Sequence, residues 1–142
     1  MILYCDTSAL IKRYVEEDGT DEVDILWRNA LYISTSAVAF AETSAAFGRK
    51  LREGTLTEFE YAAAIKAFKA DLYSIIIVPI TPALNKTIER LVIRHPLRGF
   101  DSIHLGSALL LNNRNKTAQF ACFDRQLNHY AAKEGLRLAI KN

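Results

Sequence analysis

The sequence predicts a single α/β domain over residues 1–142, a three-layer α/β/α arrangement around a central, mostly parallel five-stranded sheet. Three observations predict it. Short apolar stretches alternate with segments of helical period, which implies parallel pairing through crossovers that place helices on both faces of the sheet. With 142 residues, the chain has the size of one domain. Half of those residues are hydrophobic and 24% are charged, enough apolar mass for a buried core.

In chain order, Ile2, Leu3, Tyr4 and Cys5 read as a strand that stops at Asp6. Thr7 and Ser8 then supply N-cap hydroxyls for a helix through Val15. A second helix restarts at Gly19 and Thr20, with Val23, Leu26, Trp27 and Ala30 on one apolar face. A strand is expected over 31–34. Ser34, Thr35 and Ser36 precede a long helix over about 37–52, closed by Gly54. Thr57 and Glu60 form the S/T-x-x-E capping box of the next helix, which runs to about Tyr73.

Ile75, Ile76, Ile77 and Val78 are apolar on both faces, the pattern of a buried parallel strand. Thr81 and Pro82 cap a helix with Ile88, Leu91 and Val92 as its buried stripe, ended by Pro96. A strongly apolar helix follows Gly99, Phe100 and Asp101 and stops within 112–115. The remaining expectations are a strand over 120–123, a helix over 124–134 closed by Gly135, and a last strand over 136–140.

Composition excludes several classes. A net charge of +2 is too small for the global balance to mark a nucleic-acid binder, so any such surface is local. The longest apolar run, 75–80, contains Pro79 and is far short of the roughly 20 residues a bilayer span needs. No membrane association is expected. Residues 2–5 are too short for the core of an export signal, and Cys5 and Cys122 lie within apolar stretches as free thiols. A reducing cytoplasmic location is the expectation.

Four acids stand at the ends of elements: Asp6, Glu42, Asp101 and Asp124. In an open parallel sheet, ligands bind beyond the carboxyl ends of the strands, where Asp6 and Asp124 fall. Carboxylates brought together there repel unless a cation or protons neutralise them. Hard oxygen donors suit Mg²⁺ or Mn²⁺, and the sequence has no Cys-x-x-Cys or His-x-x-x-His pattern for zinc. Each acid alone also fits a structural role: Asp6 in a turn, Glu42 on an exposed helix face, Asp101 and Asp124 at helix N-termini.

Four segments carry a resemblance: Ile2-Leu3-Tyr4-Cys5-Asp6-Thr7-Ser8-Ala9-Leu10, Ser36-Ala37-Val38-Ala39-Phe40-Ala41-Glu42, Leu97-Arg98-Gly99-Phe100-Asp101-Ser102-Ile103-His104-Leu105, and Phe123-Asp124-Arg125-Gln126-Leu127. In this order the chain resembles the PIN-domain ribonucleases, and more narrowly the VapC-like toxins of toxin-antitoxin pairs. The resemblance implies a PIN-like fold and a pocket in which Asp6, Glu42, Asp101 and Asp124 hold one or two Mg²⁺ or Mn²⁺ ions and serve as the catalytic carboxylates. Asp6 and Asp101 would be the direct ligands, with Asp124 acting through water. The implied reaction is metal-dependent endonucleolytic hydrolysis of RNA, leaving a 3′-hydroxyl and a 5′-phosphate. Ser8 would orient a water or phosphate. The implied partners are the RNA substrate, a cognate antitoxin whose C-terminal segment covers the site, and a second copy in a homodimer.

One position departs from the pattern. Many relatives carry Thr or Ser two residues before the last aspartate, where this chain has Cys122, which puts support of Asp124 in question. Among the basic residues near the acidic segments, Lys12, Arg13, Lys50, Arg98 and Arg125, Arg98 is the substrate-backbone candidate. His104 shares a helix face with Asp101 and reads first as a packed or hydrogen-bonding residue. Trp27, Phe47, Leu51, Phe59, Tyr61 and Phe68 exceed what a small sheet readily covers, which suggests a partner face. A catalytically silent module for RNA or protein binding is the competing reading. A receiver-like domain fits less well, because no acid ends the third strand, and Asp6-Thr7-Ser8 lacks the second aspartate of a haloacid-dehalogenase phosphatase.

Overall fold

The computed structural model describes residues 1–142, the side chain of Asn115 excepted. Five parallel strands form one sheet in the order β3-β2-β1-β4-β5: β1 (Ile2–Cys5), β2 (Tyr32–Ser36), β3 (Ile76–Val78), β4 (Ala118–Ala121) and β5 (Arg137–Leu138). Between them run α1 (Thr7–Lys12), α2 (Thr20–Asn29), α3 (Ala39–Arg52), α4 (Glu58–Asp71), α5 (Pro82–Arg94), α6 (Gly99–Asn115) and α7 (Arg125–Lys133).

Alternation along β1 divides the core into two layers. Leu3 and Cys5 point to one face and pack with Leu10, Val23, Phe47 and Phe68 from α1–α4. Tyr4 points to the other and packs with Leu91, Leu105, Phe120, Leu127 and Tyr130. Every β1 side chain is buried, as a central strand covered on both faces requires. The chain winds outward from β1 through β2 to β3, then returns to place β4 on the other flank of β1. Strand order therefore reverses between β1 and β4, and the crevice beyond their carboxyl ends is where this topology puts ligands.

Several boundaries differ from expectation, each for a physical reason. The first helix is capped by Asp6, whose carboxylate accepts from the Ala9 amide, while Thr7 and Ser8 lie inside it. That helix ends at Lys12 and relaxes into tight turns through Tyr14 rather than reaching Val15. The second strand runs on to Ser36, since Ser34, Thr35 and Ser36 pair with Ile76, Ile77 and Val78 instead of capping a helix. The third strand is not buried: it is the sheet edge, paired to β2 alone, with Ile76 and Ile77 exposed. The fourth strand stops at Ala121, because the Phe123 amide donates to the Ser8 hydroxyl rather than to a strand partner. The fifth pairs over only two residues.

Other expectations hold. Thr57 and Glu60 form the reciprocal capping box, and Thr81 caps α5 with Pro82 in its first turn. Gly54 and Gly135 take positive φ just beyond α3 and α7, where a side chain would be strained. Cys5 and Cys122 are buried free thiols. Apart from these expectations, no helix among the described residues is long and apolar enough to cross a membrane. Of the aromatic residues expected in excess of the core, Phe47 and Phe68 are fully buried and only Phe59 is well exposed.

Candidate active site

Asp6 leaves β1 at the switch point, and its amide donates to the Ala121 carbonyl of β4, so the two strand ends are tied together. The carboxylate is buried and accepts from the Ser8 hydroxyl at 2.6 Å and the Ala9 amide at 3.1 Å. Among the described residues it has no ion-pair partner. Burial raises its carboxyl above the ordinary value, against the opposing pull of the His104 charge and the hydrogen bonds from Ser8, Cys122 and Ala9. The Ser8 hydroxyl also accepts from the Phe123 amide at 3.0 Å, so Ser8 links Asp6 to the chain following β4.

Glu42 projects from the first turn of α3. Its Oε1 accepts from the Thr7 hydroxyl at 2.7 Å and lies 2.7 Å from His104 Nε2. Burial pushes this carboxyl up, but the hydrogen bonds from His104 and Thr7, joined by the His104 charge, outweigh it and hold the group below its usual value. The other ring nitrogen, Nδ1, is 2.9 Å from the Tyr4 hydroxyl, a phenol that burial keeps protonated. Thr7 and Tyr4 are site neighbours that sequence reasoning missed. A tyrosine within the otherwise apolar Ile2–Cys5 strand was the available signal, since a buried phenol needs a hydrogen-bond partner.

Asp101 lies in the first turn of α6 and receives the Arg98 guanidinium at 3.3 Å, an exposed contact. Asp124 is the N-cap of α7: its Oδ1 accepts from the Gln126 amide at 2.9 Å and the Leu127 amide at 3.1 Å. Cys122 stands in for the missing hydroxyl locally, its Sγ accepting from the Asp124 amide at 3.3 Å. The loop that positions Asp124 is thus built without Thr or Ser.

The four acids lie toward the carboxyl edge of the sheet, and three of them, Glu42, Asp101 and Asp124, line two adjoining clefts. A cleft of about 720 Å³ is lined by Glu42, Ile88, Arg98, Phe100 and Asp101 among others. A smaller one, about 280 Å³, includes Arg98, Asp101, Asp124, Gln126 and Tyr130. Asp101 and Arg98 border both, and Asp6 lies buried just beyond the carboxyl end of β1. Among the described residues no three His, Cys, Asp or Glu side chains converge as a ready ligand cluster. Each carboxylate is instead held by its own donors. The donor chemistry still fits a hard divalent cation: four carboxylates toward one edge, one of them buried and in no ion pair among the described residues.

Of the basic residues expected at the substrate, Lys12 and Lys50 both pair with Glu17, at 2.9 and 3.0 Å, and Arg13 contacts Asp24. Arg98 is the one that borders the clefts.

A model of the PIN domain matches residues 3–133. The chain belongs to the PIN-domain family. A PIN relative, Ribonuclease VapC45 of Mycobacterium tuberculosis (strain CDC 1551 / Oshkosh), is 30% identical over 138 residues, covering 97% of this chain and 94% of the relative. The fold is also that of M. tuberculosis VapC20, described as a sarcin-ricin loop cleaving toxin, with a TM-score of 0.68 at 16% identity over 99% of both chains. It likewise matches a chain of VapBC2 from Rickettsia felis, solved bound to a DNA fragment from their promoter, with a TM-score of 0.67 at 14% identity over 97% of both chains. This PIN domain spans essentially the whole length of these relatives.

Proposed function

We propose that this PIN domain is the toxin of a toxin-antitoxin pair, an endoribonuclease that hydrolyses RNA phosphodiester bonds with Mg²⁺ or Mn²⁺ as cofactor. The observation that carries the reading is that Asp6, Glu42, Asp101 and Asp124 all lie at the carboxyl edge of the sheet in a chain 30% identical to a named VapC ribonuclease. Asp6 and Asp101 are the residues that would ligate the ion, with Glu42 beside them and Asp124 acting through water. When bound, the ion supplies a lowered water pKa and a counter-charge for the phosphoryl oxygens.

The protein's own groups do the rest. Ser8 and the Ala9 amide hold the Asp6 carboxylate in one orientation. Thr7 and His104 hold Glu42 ionised, so it can accept a proton at its free oxygen. Arg98, released from its exposed contact with Asp101, is positioned to take a substrate phosphate. Phe100 and Ile88 give the larger cleft an apolar wall on which a base or a covering peptide can pack. An antitoxin segment seated there would exclude RNA, and that partner, homodimerisation and a cytoplasmic location belong to the same proposal.

The test is cleavage of structured RNAs in Mg²⁺ or Mn²⁺, with EDTA and the D6N and D101N variants as controls. Metal-dependent cleavage lost in both variants is expected. Cleavage unchanged by either substitution removes the proposed site, and folded protein that cuts no RNA across a varied panel leaves the silent binding module as the reading.

A further inference from the structure

His104 is almost fully buried, and both of its ring nitrogens have polar partners, as a buried imidazole requires. Nε2 is 2.7 Å from Glu42 Oε1 and 3.2 Å from the Thr7 hydroxyl, and Nδ1 is 2.9 Å from the Tyr4 hydroxyl. These contacts join four elements, since Tyr4 belongs to β1, Thr7 to α1, Glu42 to α3 and His104 to α6. A carboxylate only accepts, so Nε2 carries the hydrogen toward Glu42, while Nδ1 faces the Tyr4 hydroxyl.

Both donors to Glu42 fall on the same atom. Oε1 takes Thr7 and His104, whereas Oε2 makes no hydrogen bond among the described residues and belongs to a side chain lining the cleft shared with Asp101. A free glutamate has three rotatable torsions, and holding one oxygen from two directions leaves the other aimed in a single way. We propose that His104, itself fixed by Tyr4, is a positioning residue that locks the Glu42 rotamer and presents Oε2 to the cation and attacking water. This rests on the nuclease reading above and deepens it, assigning to His104 and Tyr4 a role in setting metal affinity.

The experiment is calorimetric Mn²⁺ titration of the full chain without RNA, for wild type, E42Q, H104L, H104Q, Y4F and the E42Q/H104L double variant. H104L is expected to weaken Mn²⁺ binding by about 10-fold or more, in the range typical of partners that orient a metal ligand. H104Q, which restores an N–H toward Glu42, recovers most of that loss. Y4F gives a smaller loss, and H104L adds nothing in the E42Q background. In RNA cleavage the same variants lower kcat with KM unchanged. Folded H104L that binds Mn²⁺ like wild type, or losses from H104L and E42Q that simply add, overturn the proposal. If H104L does not fold, H104Q and Y4F carry the test, and an H104Q as weak as E42Q overturns it. The parent reading fails in a different way: E42Q and D6N would then both bind Mn²⁺ as tightly as wild type.

Discussion

The two halves of the acidic edge are built differently. On one side Asp6 and Glu42 are buried or half-buried and held by side chains from several elements: Ser8, Thr7, His104 and, behind it, Tyr4. On the other, Asp101 and Asp124 are half-buried like Glu42 but held only locally, one by Arg98 three residues away and one by the first amides of its own helix. The first half is a pre-formed wall whose geometry the core dictates. Asp101 can turn from its partner at little cost, because an ion pair with an exposed arginine contributes only about 0–1 kcal/mol. Each acid has a separate set of donors, and under the proposed function a bound cation would have to draw Asp101 away from Arg98 toward the fixed side.

Substitutions on the two sides test that contrast. The largest effect is expected for D6N, with cleavage falling by roughly 10²–10³ as for loss of a principal electrostatic group. The same variant should be more stable than wild type in metal-free buffer. The sign follows from the raised Asp6 carboxyl: the folded state binds this proton more tightly than the unfolded one, so stability falls as pH rises through the folded value. A melting temperature for D6N in EDTA that lies a few degrees above wild type at neutral pH, with the gap closing in acid, supports this. An unchanged one contradicts it.

Glu42 predicts the opposite sign. Its carboxyl is held low, so its stabilisation is present above the unfolded value and is lost as pH falls through the folded one. E42Q should therefore melt below wild type at neutral pH while converging with it in acid, besides losing metal affinity. On the locally held side effects should be smaller and separable. D124A removes the cap of α7 and should cost about 1 kcal/mol of stability, read from urea unfolding, whatever it does to activity. R98A should raise KM for RNA and weaken its salt dependence while leaving stability within about 0.5 kcal/mol.

Much of this was legible in the sequence because it is local. The Thr57 capping box, proline at the start of α5 and the alternation of strands with helices are written within a few residues of where they act, and the five-stranded α/β/α fold follows from them. Strand order is not local. Ile75–Val78 reads as a buried strand because its composition is that of one, and only the topology makes β3 an edge. At the site, the four acids could be picked out by their places at element ends and by family resemblance. Their partners could not, since Tyr4 and His104 meet across 100 residues and Glu42 meets Thr7 across 35. Cys122 shows a further non-obvious contact: the residue that departs from the family pattern accepts the Asp124 amide at its Sγ.

The most direct measurement is a crystal structure of the protein soaked in Mn²⁺, with the ion located by anomalous scattering. The account predicts a peak about 2.0–2.3 Å from carboxylate oxygens of Asp6 and Asp101, with Asp101 turned away from Arg98 and Glu42 Oε1 still bound to Thr7 and His104. No peak at this edge of the sheet under saturating Mn²⁺, or a peak that leaves Asp6 and Asp101 with their present partners, would contradict it.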